Sequence, residues 1–507
     1  MKILIAILAV AAIIFFAYRS ASAQSAATMT VTFVYTNDMH GVFRGSDESA
    51  FMKLKPAQGL LRISTLIKRV KSENPNTIAL DAGDALHGTP MMYVFRGEPV
   101  AELMNAAGYD IITLGNHDFE WKMQVASERV ARAKQDVVVS NAVFPPGYDF
   151  SAVKPYVIRE IGGVKVAIAG LFTDETLKFI WPGYIQGLEI EPAEKALERL
   201  YPDMLREADY IVLLSHLGTA NDLQIATSST GADLILGGHS HNVIFPPIQI
   251  GKTYIMNSGA YGLNLGRVDV DFAPGDDGRM KPVGVRASMI PADESVTEDP
   301  ELVPVYEQYR TMLADVMSLK VAESWAIAGD KKRTGDRAAD LLREATGADI
   351  AFIGAGQISG EMGVGPVAVK DFYKVMTSYS RQNIVLGKLS GAQIADLIER
   401  SANGTKAANG IYFSGIKYEI SSDAAGKSIV SITVNGNPLD SNAGYLVAST
   451  GNFIMERTDL LSADPGGVAD TGETLRDVVM KQLGIGGGGN YASGKIGKTA
   501  SPPDEAN

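Results

Sequence analysis

Five of the six histidines in this 507-residue chain fall in four short motifs, Asn37-Asp38-Met39-His40-Gly41, Gly115-Asn116-His117-Asp118, Ser215-His216 and Gly238-His239-Ser240-His241, each just after an apolar run. Gly83-Asp84 follows a further run at 77–80, so the order along the chain is D-x-H, G-D, G-N-H-D, H and G-H-x-H. Imidazole nitrogen and carboxylate oxygen suit divalent ions such as Zn, Mn, Co or Fe, and the two oxygens of one carboxylate let it bridge a pair of them. Asp38, His40, Asp84, Asn116, His216, His239 and His241 are the candidate ligands. Two ions roughly 3.5–4 Å apart clamp a phosphoryl group and lower the pKa of a bound water toward about 7. The chemistry implied is hydrolysis.

Each motif alone has a plainer reading. Asp-x-His is ordinarily a loop with a solvated carboxylate, Gly-Asp is common turn chemistry, and a single Ser-His is most often a core or loop histidine. His239 and His241 alternate on an extended segment and so project to one side. It is the ordered set that points to metal. His87 fits no ligand position and reads as structural.

A formal charge of −12 argues against a nucleic-acid polymer as partner, although a local metal site still attracts phosphate. The chain has no cysteine, which excludes disulfides, thiolate ligands and a cysteine nucleophile. Lys2, the apolar stretch 3–17 and Ala21-Ser22-Ala23 before Gln24 form the three parts of a secretory signal peptide, residues 1–23. The apolar run is shorter than the roughly 20 residues of a membrane-spanning helix, so cleavage is expected rather than anchoring. The expected location is periplasmic or secreted, with no membrane span in the mature protein.

From residue 29 onward, apolar runs at 31–35, 77–80, 110–114, 137–139, 164–169, 211–214 and 234–236 read as buried strands. Helical patterns at 60–71, 99–107, 123–134 and 193–200 lie between them. This is an α/β chain, and its metal motifs sit just past strand C-termini, where open α/β sheets place ligand crevices. After the acidic, turn-rich passage 292–300, the stretch 301–319 reads as a connecting helix. Beyond it the pattern predicts helices at 334–346 and 390–401 and strands at 349–353, 411–420 and 429–434. Gly486 to Gly489 form a flexible run.

The motifs, together with Gly88-Thr89-Pro90 and Phe119-Glu120, resemble the calcineurin-like metallophosphoesterase domain of secreted 5′-nucleotidases. Gly347 to Phe352 and Leu389-Ser390-Gly391 resemble the C-terminal substrate domain of the periplasmic UDP-sugar hydrolase and 5′-nucleotidase group. The resemblance implies a four-layer αββα domain over 29–290 and a smaller α/β C-terminal domain at 323–496, while the residue pattern gives a linker and connecting helix at 291–322 between them and, from its polar composition, a disordered tail at 497–507. It also implies that Asp38, His40 and His241 hold one metal, that Asn116, His216 and His239 hold the other, and that Asp84 bridges them. His117 is then the catalytic group that stabilises transition-state charge, with Glu120 orienting it.

The second domain departs from the family. Where members carry Asn-Gly-Gly-Gly-Ile-Arg, this chain reads Gly354-Ala355-Gly356-Gln357-Ile358-Ser359, and Ser359 stands in place of a substrate-binding arginine. The Gly-Gly-Asp-Gly-aromatic stretch is replaced by Arg457-Thr458-Asp459-Leu460-Leu461. Tyr412, Phe413 and Arg381 are the candidate substrate-binding residues that remain. The leading expectation is a two-metal hydrolase of small phosphate esters such as nucleotides or nucleotide sugars. A thiosulfohydrolase-like specificity on the same scaffold is the alternative, and a non-catalytic binding protein is disfavoured because every expected ligand and His117 are present. The sequence leaves the oligomeric state and the identity of the metal open.

Overall fold

The computed structural model describes residues 28–49, 54–228, 232–325, 330–376, 383–403, 410–423, 426–455 and 468–484. The expected leader, Arg381, the stretch 457–461, the glycine run and the tail lie outside them. The apolar runs of the first half form the strands Met29–Thr36, Thr77–Asp81, Ile111–Ile112, Asp136–Val138, Val164–Phe172, Tyr210–His216 and Leu234–Gly237. The helical patterns form Leu60–Glu73, Glu98–Ala106, Lys122–Arg132 and Ala193–Glu207.

These strands divide between two sheets. In the first the order is 280–291, 264–274, 29–36, 77–81, 111–112, 136–138, 153–154. It is parallel from 29–36 onward and flanked by an antiparallel hairpin, Asn264–Pro274 with Met280–Pro291. In the second the order is 243–250, 253–258, 234–237, 210–216, 164–172, 156–161, with a parallel centre and antiparallel edges.

Why both sheets read as continuous apolar runs follows from the two-residue period of a strand. Val31, Phe33 and Tyr35 face inward against Val166, Ile168, Val212, Leu214 and Leu236 of the other sheet. The intervening Val34 and Ala79 face outward onto Leu61, Ile63 and Leu103 of the helices over the first sheet. Ala167, Ala169, Ile211, Leu213 and Ile235 likewise face outward onto Leu197, Leu200 and Ile225 on the far side. The result is helix, sheet, sheet, helix, and each central strand is buried on both faces.

Parallel strands deliver their C-terminal ends to one rim. Asp38 follows 29–36, Asp84 follows 77–81, Asn116 follows 111–112, His216 closes 210–216, and His239 follows 234–237. Both sheets therefore contribute to one crevice.

Helix Val303–Ser318 leads into a second unit whose five-stranded sheet has the order 411–414, 350–354, 444–450, 383–390, 469–474. Helices Lys331–Thr346 and Leu475–Gln482 cover one face of it, and Gly391–Ala402 covers the other. The expected single strand at 411–420 is in fact two. Ile411–Ser414 pairs with Ile350–Gly354, whereas Ile416–Asp423 pairs with Gly426–Val434 in a separate sheet. The break is Gly415, at φ +83°, where a Cβ would come within 2.2 Å of the Asp349 carbonyl oxygen. Among the described residues the two units touch where Val94 joins the apolar core of the second unit, where Trp181 packs against the cluster built on Ile350 and Phe352, and where Tyr93 meets Tyr373 and Arg476.

Candidate metal centre

Among the described residues three groups of side chains could hold an ion, with the atoms of each lying within 4.8 Å of one another. Two of them, Asp38, His40 and His241 and then Asp84, His216 and His239, are built from the candidate ligands, and the third is His87, His117 and Glu120. One Asp84 oxygen, Oδ2, sits 3.1 Å from His216 Nε2 and 3.8 Å from His40 Nε2, so it reaches both groups. Asn116 Oδ1 and His216 Nε2 are buried and make no hydrogen bond. Buried polar atoms left without a hydrogen bond are costly unless something binds them. Together with an all-nitrogen-and-oxygen donor set, they fit a pair of divalent cations.

The imidazoles are held by their other nitrogens. His40 Nδ1 donates to the His87 carbonyl at 2.8 Å, and His216 Nδ1 donates to the Ala82 carbonyl at 2.7 Å. Both rings thus present Nε2. His239 is held from the opposite edge, Nε2 donating to Glu175 Oε2 at 2.8 Å, which leaves Nδ1 to face the cluster.

The loops carrying these residues are unusual backbone. Asp38, His40, Asp84, His239 and His241 all have positive φ, between 48° and 68°. Non-glycine residues rarely adopt this conformation and persist in it where the surroundings over-determine them. Asp118 supplies much of that determination: Oδ1 accepts from the amides of Ala85 and Leu86, and Oδ2 from those of Asp84 and Gly115. Gly115 must be glycine, since a Cβ there would stand 2.2 Å from Asp84 Oδ1. Asn37 ties the first loop to the second sheet, its Oδ1 accepting from the Ser258 amide and hydroxyl.

Electrostatically the centre is short of positive charge. Burial pushes the Asp38 carboxyl up to about 7 and drives His40 down to about 3 and His241 to about 4. Burial also opposes ionisation of Asp84, but His216 and His117 outweigh it and hold this carboxyl well below the usual range. Conversely, burial lowers His216 and His117, but the Asp84 charge raises them to about 10 and about 9. Protons hold the positive charge here, and divalent ions held by these side chains would take their place.

His117 stands apart from the two ligand groups. Its amide donates to Asp84 Oδ1 at 2.8 Å, and its Nδ1 lies 3.0 Å from Glu120 Oε1. His87, read as structural, is buried, shares a hydrogen bond with the Tyr93 hydroxyl and stacks on the His117 ring.

The second-unit residues behave differently. Tyr412 is buried against Gly335 of helix Lys331–Thr346, and Phe413 packs edge-on to Phe352 and Tyr418. Among the described residues neither makes a ring contact or hydrogen bond with the histidine cluster. Ser359 uses its hydroxyl on the Lys374 and Val375 carbonyls. Sequence reasoning missed Glu175, Asp118 as a loop organiser, and Tyr261, whose ring contacts His40 and His241. Glu175 lies just past strand Val164–Phe172, so the rule that located the ligands, carried to every strand end, would have found it.

The fold and this centre define a metallophosphoesterase. Residues 31–243 match the family model for calcineurin-like phosphoesterases, and residues 315–463 match that for the 5′-nucleotidase C-terminal domain. The chain belongs to the calcineurin-like phosphoesterases that carry a 5′-nucleotidase C-terminal domain, and it is a hydrolase of that class. It is 24% identical to UshA of Yersinia enterocolitica over 83% of this chain and 84% of that protein. It is 26% identical to the trifunctional nucleotide phosphoesterase YfkN of Bacillus subtilis over 84% of this chain, which spans only 32% of that longer protein. In fold it is similar to the 5′-nucleotidase precursor of Thermus thermophilus, with a TM-score of 0.65, 24% identity and coverage of 90% of this chain and 96% of that one.

Because Glu175 fixes the His239 ring, Glu175→Gln is expected to weaken binding at the Asp84–His216–His239 group by about tenfold or more while leaving the Asp38–His40–His241 group intact. Metal titration followed by calorimetry would resolve the two sites, and equal loss at both would contradict the assignment.

Proposed function

We propose that this chain is an exported two-metal hydrolase of phosphate esters, 5′-nucleotidase-like, acting on nucleotides or nucleotide sugars. The observation that carries this reading is the convergence of the two ligand groups on Asp84, with orphaned Asn116 Oδ1 and His216 Nε2 and a cationic His117 beside them. The names of the relatives, UshA, YfkN and several 5′-nucleotidases, support the substrate class. Asp38, His40 and His241 would hold one ion, Asn116, His216 and His239 the other, and Asp84 would bridge them. Such ions, when bound, neutralise the phosphoryl charge and acidify a coordinated water. Their identity is to be drawn from Zn, Mn, Co and Fe.

His117 would face the charge that develops on the phosphoryl group as the ester bond breaks. Glu120 holds its Nδ1 edge at 3.0 Å, keeping the imidazolium oriented. The pKa of His117 is raised, so the charge is complete at neutral pH and is lost as pH climbs through the raised value near 9. Glu120 is one of the groups that raise it. His117→Ala should therefore keep both ions yet lose on the order of a hundredfold in kcat. Glu120→Gln should move the alkaline limb of the kcat profile to lower pH. Bound cations would draw the His117 value down in both proteins, so the test is the direction of the shift; a limb unmoved by Glu120→Gln would remove the imidazolium from the mechanism.

Recognition of the leaving group is the altered part. Ser359 offers a hydroxyl already engaged at a helix end where the family has an arginine, and Tyr412 is committed to the core. Losing a stacking aromatic and a charge-assisted hydrogen bond forfeits on the order of thirtyfold in affinity. Specificity constants for AMP, UDP-glucose and an aryl phosphate should accordingly lie within about tenfold of one another, since the shared phosphate carries most of the binding. A strong preference for one nucleotide would show that other residues rebuild the pocket. Exclusive turnover of a thiosulfate ester in the same panel would select the alternative specificity.

Export rests on the three-part N-terminus. N-terminal sequencing of the mature protein is expected to begin at Gln24, whereas an intact Met1 in the membrane fraction would mean an anchor. No helix among the described residues is long and apolar enough to cross a membrane.

A further inference from the structure

Arg476, in the first turn of helix Leu475–Gln482, is a cation with only 3% of its surface exposed. A buried guanidinium is expensive unless its surroundings replace water. Here the replacement is aromatic: the guanidinium carbon lies 3.9 Å from the ring centre of Tyr373 and 4.7 Å from that of Tyr93. Its Nη1 donates to the Met376 carbonyl at 3.2 Å, at the C-terminal end of helix Val369–Val375. Tyr373 and Met376 belong to the second unit, but Tyr93 belongs to the first, on the short helix Pro90–Phe95.

From Tyr93 the contacts run inward. Its hydroxyl shares a 2.7 Å hydrogen bond with His87 Nε2, and its ring meets those of His87 and Trp121 edge-on. His87 then touches the metal centre twice. Its ring lies nearly parallel to that of His117, 10° apart in plane with centres 5.3 Å apart, and its carbonyl oxygen is the acceptor that fixes the His40 Nδ1 proton. A half-turn of the His87 ring would put a carbon where Nε2 meets the Tyr93 hydroxyl. That hydroxyl therefore fixes the face that His87 shows to His117.

We propose that Arg476, Tyr93 and His87 form a positioning relay through which docking of the second unit on the first sets the His117 ring and the His40 ligand for reaction. None of the three touches the reacting atoms. Arg476 pins the Tyr93 ring, Tyr93 pins the His87 ring, and His87 sets its two neighbours. The relay rests on the reading of His117 as the transition-state group, and it gives the second unit a part in the chemistry separate from leaving-group recognition.

The test uses the full mature chain loaded with zinc and labelled with nitrogen-15 in its histidines. Arg476→Met keeps the aliphatic stem without the charge, Arg476→Lys restores a cation, and Tyr93→Phe removes one oxygen while keeping the ring. Expected for Arg476→Met and Tyr93→Phe are shifted ring-nitrogen resonances of both His87 and His117, and kcat on an aryl phosphate reduced about tenfold per metal-loaded site with KM and metal content retained. Arg476→Lys should recover part of the rate, and the Arg476→Met and Tyr93→Phe double variant should be no worse than the poorer single one. Unchanged His117 resonances, rate loss that merely follows metal loss, or additive losses in the double variant would each overturn the relay. Should Arg476→Met not fold, Tyr93→Phe carries the test. If the unaltered protein hydrolyses no ester, the phosphoesterase reading fails, and the resonances alone still decide the relay.

Discussion

Asp84 is 1% exposed and yet holds its proton far less tightly than an ordinary carboxylate. Desolvation alone would neutralise it, and what prevents this is positive charge on both sides, from His216 and His117. Much of the first unit can be understood as the apparatus that keeps this carboxylate ionised in a dry crevice. The strand ends bring the histidines to it, Asp118 gathers the amides of its own loop, and the chain accepts left-handed backbone at five ligand positions to aim the side chains inward. Divalent ions relieve the same tension more completely than protons do, because each carries more charge and can take several of these donors at once.

This tension was legible in the sequence because it requires residue types that are uncommon and an order that is fixed. Strands buried on both faces leave unbroken apolar runs, and parallel strands place whatever follows each run on a shared rim. Residue type and order along the chain therefore suffice to name the seven ligand candidates, and the structure brings the six acidic and histidine candidates into two groups around Asp84. Glu175 and Asp118 escaped for a different reason. Carboxylates that act on backbone amides or on the far edge of a ring carry no signature in residue type; Glu175 shows in the sequence only by its place just past a strand end, and the part Asp118 plays only by proximity in space. The long hairpin of Asn264–Pro274 and Met280–Pro291 was also not anticipated, because an edge hairpin with one exposed face lacks the continuous apolar run that marks the central strands.

The second unit was harder to read, and the aromatic residues show why. Tyr412 and Phe413 are adjacent on one strand and so point to opposite faces of the sheet, one onto the glycine of a helix and the other onto a phenylalanine cluster. A stacking platform for a base and a core side chain draw on the same residue types, so composition does not separate them. Gly415 was equally silent until its positive φ showed that the chain leaves one sheet there and enters another.

The ligands are divided between the two sheets. Asp38, His40, Asp84 and Asn116 follow strands of the first, whereas His216, His239 and His241 belong to the second. Apolar packing joins the sheets along most of their length, and at the rim bound ions would act as cross-links between them. Ions that bind only the assembled rim stabilise the folded chain by mass action, by about 2.7 kcal/mol for one site when the free ion stands a hundredfold above its dissociation constant. Resistance to heat and to proteolysis would then follow the metal content of the surrounding medium. A protein of this construction carries in its melting temperature a record of how much free metal its compartment holds.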